Sequence, residues 1–505
     1  MAERRVIDRS KKARRRRPPD GLAPVVALDR RLARPLHRQL YDGYREAMID
    51  GRLRPGQRLP STRTLAQDLQ ISRITAVNGL AQLIAEGYVE SRGGAGSFVS
   101  AVLPDSRPSR VGDAAPRPGV SQGRPGARRV PASPLEPRDA PWFKPRGAFR
   151  VSQPALAEFP SELWARLVAR HARRASLQQM AYADPMGQPA LREALAAHLG
   201  TVRSVTCTPD QVMIVSGSQQ ALALAALALL APGDSVWLEE PGYLGARDAL
   251  QLAGAQIVPV PVDRDGLDVA AGIARGPGAR LAYVTPSHQY PLGMIMSAPR
   301  RLQLLDWARR RGAWILEDDY DSECRYDGPP LASLQGLDGD ARVIYVGTFS
   351  KFLFPGLRVG YLVLPVDLIE RFQVVRGAMD LFPAPLYQSV LAEFLREGHF
   401  ARHLRRTRRI YADRRRVLEA ALARELGDTV RVVGDRTGMH LVAMLPPGTD
   451  DHDIAVRAAR AGISVVPLSS CYLGRGAQPG LMLGYGSTTV RMIPDAVRRL
   501  RGLLA

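Results

Sequence analysis

GTFSKFLFPGLRVGY, residues 347–361, places Lys351 in a chain that hardly uses lysine: the 70 basic residues comprise 66 arginines and four lysines, at 11, 12, 144 and 351. Arginine carries a positive charge as well as lysine does. Only lysine loses its proton near neutral pH and attacks an aldehyde to form a Schiff base. A lysine kept here is therefore either a chance survivor or an amine with a chemical task, and its neighbours favour the task. Arg358 lies seven residues on and Thr348 and Ser350 just before, a cation and two hydroxyls of the kind a phosphate ester requires.

The stretch follows a strand-like apolar run, VIYVGTF (343–349), and similar runs recur upstream: VMIVSG (212–217), SVWLEEP (235–241), IVPVPV (257–262), LAYVTP (281–286) and AWILEDD (313–319). Near-continuous apolar strands separated by helical stretches predict an α/β domain with a mostly parallel sheet buried on both faces. In such sheets ligands sit beyond the carboxyl ends of the strands. That rule gathers the loops GSQQ, EEPGY, TPSHQYP, EDDYD and GTFSK around one pocket. GSQQAL (217–222) puts Gly217, Ser218 and Gln219 at a strand end and a helix start, where N–H groups and the positive end of the helix dipole hold anions. Asp318 suits a pyridine nitrogen that must stay protonated, Tyr320 a phenolic oxygen, and Tyr243 the face of a ring.

The formal net charge is +21, and residues 1–130 hold 26 Lys/Arg against 12 Asp/Glu, so this quarter carries +14 of it. An arginine-biased genome raises charge everywhere but does not concentrate it, so a polyanion is the expected partner. The three cysteines are far apart and show no metal-ligand spacing, which points to a reducing compartment and no zinc site. The longest apolar run, ALALAALALLA (221–231), is too short for a membrane span of about 20 residues, and the charged start shows no apolar export segment, so a cytoplasmic protein is expected.

Four segments follow from composition: a basic tail over 1–24, a compact unit over 25–100, a Pro/Gly/Arg-rich linker over 101–155, and the large domain over 156–505. In the compact unit, PLHRQLYDGYREAMIDG (35–51) has helical spacing. LPSTRTLAQDL (59–69) and ISRITAVNGLAQLIAEG (71–87) begin with candidate caps, Ser61 or Thr62 and then Ser72. YVESRGGAGSFV (88–99) reads as two short strands about a glycine turn. Two capped helices joined by so few residues predict a helix-turn-helix with a wing.

Over residues 30–100 this resembles the winged helix-turn-helix of the GntR superfamily, including RLPSTRTLA and LIAEGYVESRGGAGSFV. The resemblance implies binding to double-stranded DNA, with Ser61 and Arg63 at the start of the second helix and Arg73 and Thr75 at the start of the recognition helix. From about 155 onward, YADPMGQPALREAL, GSQQAL, EEPGY, EDDYDSECRY and GTFSKFLFPGLRVGY resemble, in order, the fold type I pyridoxal-phosphate enzymes of the aspartate aminotransferase class. That resemblance implies pyridoxal 5'-phosphate as cofactor and a large α/β domain with a smaller C-terminal α+β subdomain. It also implies Lys351 as the Schiff-base lysine, Asp318 at the pyridine nitrogen, Tyr320 at the phenolic oxygen and Tyr243 stacked on the ring. Ser218, Gln219, Thr348 and Arg358 are implied at the phosphate.

His288, in PSHQYP, reads either as a pocket residue near the ring or as a satisfied loop histidine, and Arg247 as a ligand contact or a surface charge. Asp319 and Asp321 read as structural carboxylates. Tyr290 stands where many aminotransferases have asparagine. In GLMLGYGS (480–487), Met482 aligns with the arginine that holds a substrate carboxylate in aminotransferases. The whole chain after residue 30 resembles the MocR (GabR-like) transcriptional regulators. This implies a homodimer that senses pyridoxal phosphate or a small amine or amino-acid-like effector and performs at most slow half-transamination. The alternative is an active aminotransferase with an accessory DNA-binding domain.

Overall fold

The computed structural model describes residues 26–32, 34–92, 96–101, 147–326, 331–434, 437–474 and 476–504. The expected basic tail over 1–24, and residues 102–146 of the expected linker, lie outside them. The chain divides into two compact units.

In the first unit, helix α1 (Leu36–Ile49) turns Leu40, Tyr41, Tyr44 and Met48 into the core. Ser61 Oγ accepts the Thr64 N–H at 3.1 Å and starts α2 (Thr62–Asp68); Ser72 Oγ accepts the Thr75 N–H at 3.1 Å and starts α3 (Arg73–Ala85). Each cap satisfies an N–H that the helix itself leaves unpaired. Strands β1 (Val89–Arg92) and β2 (Gly96–Val99) pair antiparallel, Val89 opposite Val99, as the glycine-rich turn predicts. The Tyr41 hydroxyl donates to Glu86 Oε2, tying α1 to the end of α3.

The second unit is built on an eight-stranded sheet of β3 (Val212–Val215), β4 (Ser235–Glu240), β5 (Gln256–Asp263), β6 (Gly266–Leu267), β7 (Leu281–Val284), β8 (Trp314–Asp319), β9 (Val343–Thr348) and β10 (Gly360–Val363). The order is β3-β10-β9-β8-β7-β4-β5-β6. The run from β9 to β5 is parallel, and β10 lies antiparallel to both of its neighbours. Alternate residues feed two cores. Leu238, Tyr283, Leu316 and Ile344 pack against the helix Ser218–Leu229, while Trp237, Ala282 and Ile315 pack against the helix Ala298–Arg311. Burial on both faces is why these strands read as unbroken apolar runs.

Beyond the helix His399–Leu426 comes an antiparallel sheet of β11 (Arg431–Val433), β12 (His440–Met444), β13 (Val466–Pro467) and β14 (Gly480–Gly484), in the order β11-β12-β14-β13. With the helices Asp451–Arg460 and Ile493–Leu504 it forms the smaller α+β part. The linker expectation reaches too far. Phe149 is fully buried and its N–H donates to Thr488 Oγ1 at 2.8 Å, and the Ala155 N–H donates to Tyr411 Oη at 2.9 Å. Ala148, Phe149 and Ala155 give residues 147–155 the apolar content to join the core, which the surrounding Pro/Gly/Ser composition masks.

Candidate functional site

The site lies at the carboxyl end of the parallel strands. Asp318, on β8, is buried; its Oδ2 accepts from Tyr283 Oη at 2.8 Å across from β7, and its Oδ1 has no hydrogen-bond partner among the described residues. Burial pushes this carboxyl up to about 7, and Asp319 adds to the rise, while the Tyr283 hydrogen bond and the charge of Lys351 oppose it. Lys351 stands just past the end of β9. Burial lowers its amine below the usual lysine range, partly offset by the carboxylates of Asp321 and Asp318. An amine of lowered pKa thus shares one neighbourhood with a carboxylate that has an unused oxygen.

Beside them is a concave cradle. On β10, Gly360 pairs with Val215 of β3 and with Thr348 of β9, so the register brings the ends of both strands together. Gly217 follows β3 at φ 97°, and a Cβ added there would lie 3.2 Å from both Arg358 Nη1 and Nη2. Only glycine combines that backbone with so close a guanidinium. Arg358 itself is left-handed at φ 52°, a conformation that costs a non-glycine residue about 1 kcal/mol. The bonds from the N–H groups of Gln220 and Ala221 go to Gly217 O at 3.2 and 3.3 Å, which leaves those of Ser218 and Gln219 at the open end of the helix. The Gln219 side chain is spent elsewhere, donating to Gly245 O at 2.7 Å, so its contribution to the cradle is its backbone N–H. Thr348 Oγ1 lies 3.1 Å from Ser350 Oγ and accepts the Ser350 N–H at 3.2 Å, which fixes both hydroxyls at the turn.

The remaining wall is aromatic. Tyr243 follows β4 and meets Tyr290 edge to face at 5.4 Å. Tyr320 Oη is 3.0 Å from His288 Nδ1, which also lies 2.9 and 3.0 Å from the two Asp321 oxygens. His288 is thus a buried ring oriented by a carboxylate and in contact with Tyr320. His440, on β12, holds Pro291 O at 2.9 Å through Nε2; burial foremost, then the charge of His288, drives its pKa down to about 3.

The other charged candidates separate clearly. Asp319 accepts from Arg203 Nε at 2.7 Å and from the Tyr345 hydroxyl, and Arg203 also reaches Ser287 Oγ and Leu331 O at 2.6 Å, so this carboxylate ties strands together. Arg247 is buried beside Asp248, which removes the surface-charge reading. Met482 is fully buried on β14 with its sulfur 4.0 Å from Tyr290 Oη. Tyr283, Arg203 and His440 escape sequence reading, because a tyrosine, an arginine or a histidine inside a helix or apolar strand carries no motif. The polar residue in LAYVTP is the one signal for Tyr283.

In the first unit, Arg63 and Arg73 stand exposed at the starts of α2 and α3. Ser61 is a cap rather than a free hydroxyl. Thr75 is half-buried with Oγ1 2.8 Å from Ser72 Oγ, so its hydroxyl is already engaged.

Residues 156–499 match the family described as aminotransferase class I and II, and residues 36–99 match the gntR family of bacterial regulatory proteins. The chain belongs to the aminotransferase class I and II family. Its gntR-family domain makes it a DNA-binding regulator of transcription, and pyridoxal phosphate is the cofactor of its aminotransferase part. It is 41% identical to the probable rhizopine catabolism regulatory protein MocR of Rhizobium meliloti, over 94% of this chain and 95% of that protein. It is 31% identical to the pyridoxine biosynthesis transcriptional regulator PdxR of Corynebacterium glutamicum, over 89% of this chain and 91% of that one. Among solved structures of the family, the α-aminoadipate aminotransferase LysN of Thermus thermophilus superposes with a TM-score of 0.67 at 32% identity, covering 72% of this chain and 93% of that one. Among the described residues, no helix is long and apolar enough to cross a membrane.

Proposed function

We propose that the aminotransferase-like unit of this regulator serves as a sensor whose state, set by pyridoxal phosphate and a small-molecule effector, governs DNA binding by the winged helix of a cytoplasmic homodimer. The observation that carries the cofactor site is the pairing of an unpartnered, buried Asp318 Oδ1 with the Gly217–Arg358 cradle. Acid oxygen and anion cradle fit the two polar ends of the cofactor. Asp318 would receive the pyridine N–H, Lys351 would supply the amine for covalent attachment, Tyr320 would meet the phenolic oxygen and Tyr243 would cover the ring. Ser218 and Gln219 would offer N–H groups, and Thr348 and Arg358 a hydroxyl and a guanidinium, to the phosphate. His288 acts through Tyr320, which it holds in place. The bound cofactor supplies an aldehyde that captures amines and a ring that withdraws electrons.

Arg63 and Arg73 contact DNA directly, while Ser61 and Thr75 set the helix starts that present them. For the effector, the buried Met482 beside Tyr290 offers no charge to a carboxylate, which supports pyridoxal phosphate itself, or an amine or sulfonate held by other contacts.

The similarity to an aminotransferase over most of the second unit supports a second reading, an active transaminase with an accessory DNA-binding domain. One comparison separates the two. Under the sensor reading, DNA affinity changes when pyridoxal phosphate is added to cofactor-free protein, and amino-acid and keto-acid pairs give no sustained turnover. Sustained turnover with no effect of the cofactor on DNA affinity overturns it.

A further inference from the structure

Helix α3 has one face fixed by close packing. A Cβ at Gly79 would lie 2.8 Å from Leu40 Cδ2 and 3.1 Å from His37 O, so α3 approaches α1 there, and Ala76, Leu80 and Leu83 are buried on the same side. At 100° per residue, the direction opposite Gly79 falls between Val77 and Ile74. Both are large apolar residues left open: Ile74 is 69% exposed and Val77 40%. They stand near the capped N-terminus of the helix, between exposed Arg73 and exposed Asn78. A lone exposed hydrophobic residue is ordinary. Two together at the centre of the outward face, flanked by a cation and an amide, form a pattern.

Resting on the reading that α3 enters the major groove, we infer that Ile74 and Val77 read the C5-methyl groups of thymine, making the operator half-site rich in A·T pairs where the start of α3 docks. The chemistry is complementary along the face. An arginine at the helix start pairs with phosphate or guanine, an asparagine pairs two-pronged with the N6/N7 edge of adenine, and the thymine opposite an adenine presents the one apolar group in the major groove. Two branched aliphatic side chains beside Asn78 match that group in size and polarity. The inference commits to DNA as the occupant, because the charged and amide neighbours would be stranded against an apolar protein partner.

The test uses the full chain and DNA duplexes enriched by it from a random library, with each thymine of the enriched half-site replaced in turn by deoxyuridine, which removes only the methyl group. Anisotropy titrations should show an affinity loss of about fourfold at one or two thymines per half-site, the worth of one buried methyl. Ile74→Ser and Val77→Ser, separately and together, should bind thymine and deoxyuridine duplexes alike at those positions while keeping the parent melting temperature, since both residues are exposed. Tight binding that is indifferent to every deoxyuridine replacement overturns the inference and leaves DNA binding by α3 standing. A serine variant that loses affinity equally on both duplexes overturns it too, pointing to a protein contact. Failure to enrich any sequence removes the reading of α3 as the DNA-reading helix, and the inference with it.

Discussion

Tyr283 Oη donates to Asp318 Oδ2 at 2.8 Å between neighbouring strands, while Asp318 Oδ1, buried in the same site, has no partner among the described residues. The hydroxyl therefore aims the carboxylate and leaves the second oxygen open to a ligand donor. Without cofactor, burial holds this group at about 7, above the unfolded carboxylate value near 4. Between those pH values the folded chain binds more protons than the unfolded one, so this group's contribution to stability is fully present at low pH and is lost as pH rises through 7. Glu239 and Glu317, also raised to about 7 by burial, act in the same window. Asp318→Asn should stabilise cofactor-free protein at pH 8 by on the order of 1–3 kcal/mol, with little effect at pH 4, while weakening cofactor retention. Thermal unfolding of both cofactor-free proteins at the two pH values checks the first part, and equilibrium dialysis with pyridoxal phosphate the second. Equal melting shifts at both pH values would count against the assignment.

The purified protein should be yellow, and borohydride reduction followed by peptide mapping should place the cofactor label on Lys351. Lys351→Ala and Lys351→Arg should both lose the label, the second despite keeping the charge, because a guanidinium does not become a nucleophile near neutral pH. A label on another residue refutes the assignment.

Arg63→Ala and Arg73→Ala should each weaken specific DNA binding by about 1 to 3 kcal/mol. Gel-shift titration at moderate salt measures the loss. A neutral substitution removes that residue from the interface. Thr75→Val should act through the helix start instead, lowering the melting temperature as well as DNA affinity, because the Thr75 hydroxyl is bonded to Ser72.

What was legible in the sequence follows the physics of each signal. The sheet was readable because strands buried on both faces must be continuously apolar, and the helix starts because Ser61 and Ser72 are cap residues. Lys351 stood out against an arginine background. Gln219 was legible as a position and not as a side chain: its amide turns to Gly245 O, a contact made by a residue 26 positions away. Tyr283 and Arg203 lay beyond sequence reading for the same reason: strand order brings Asp318 to Tyr283, and the packing of the helix Pro189–Arg203 brings Arg203 to Asp319. Residues 147–155 read as linker because the few apolar side chains that join the core, Ala148, Phe149 and Ala155, are hidden in a segment of linker-like composition, and the N–H groups of Phe149 and Ala155 find Thr488 Oγ1 and Tyr411 Oη only in the fold.

Met482 is fully buried on β14, opposite Val442 and Val466, with Leu468 and Cys471 in the same apolar cluster and Tyr290 Oη 4.0 Å from its sulfur. A thioether donates no hydrogen bond and carries no charge, so a carboxylate docked against this wall would lose its water without gaining a partner, at a cost of several kcal/mol. Each 1.4 kcal/mol is tenfold in affinity, so ordinary α-amino acids should bind at least a hundredfold more weakly than to a site with an arginine there. Common L- and D-amino acids should therefore leave the visible spectrum and the DNA affinity of the holo-protein unchanged at micromolar concentration. Pyridoxal phosphate added to cofactor-free protein should change DNA affinity. A saturable response to an ordinary amino acid at micromolar concentration would show that another cation reaches the carboxylate, and would overturn the assignment of Met482 as the residue that excludes it.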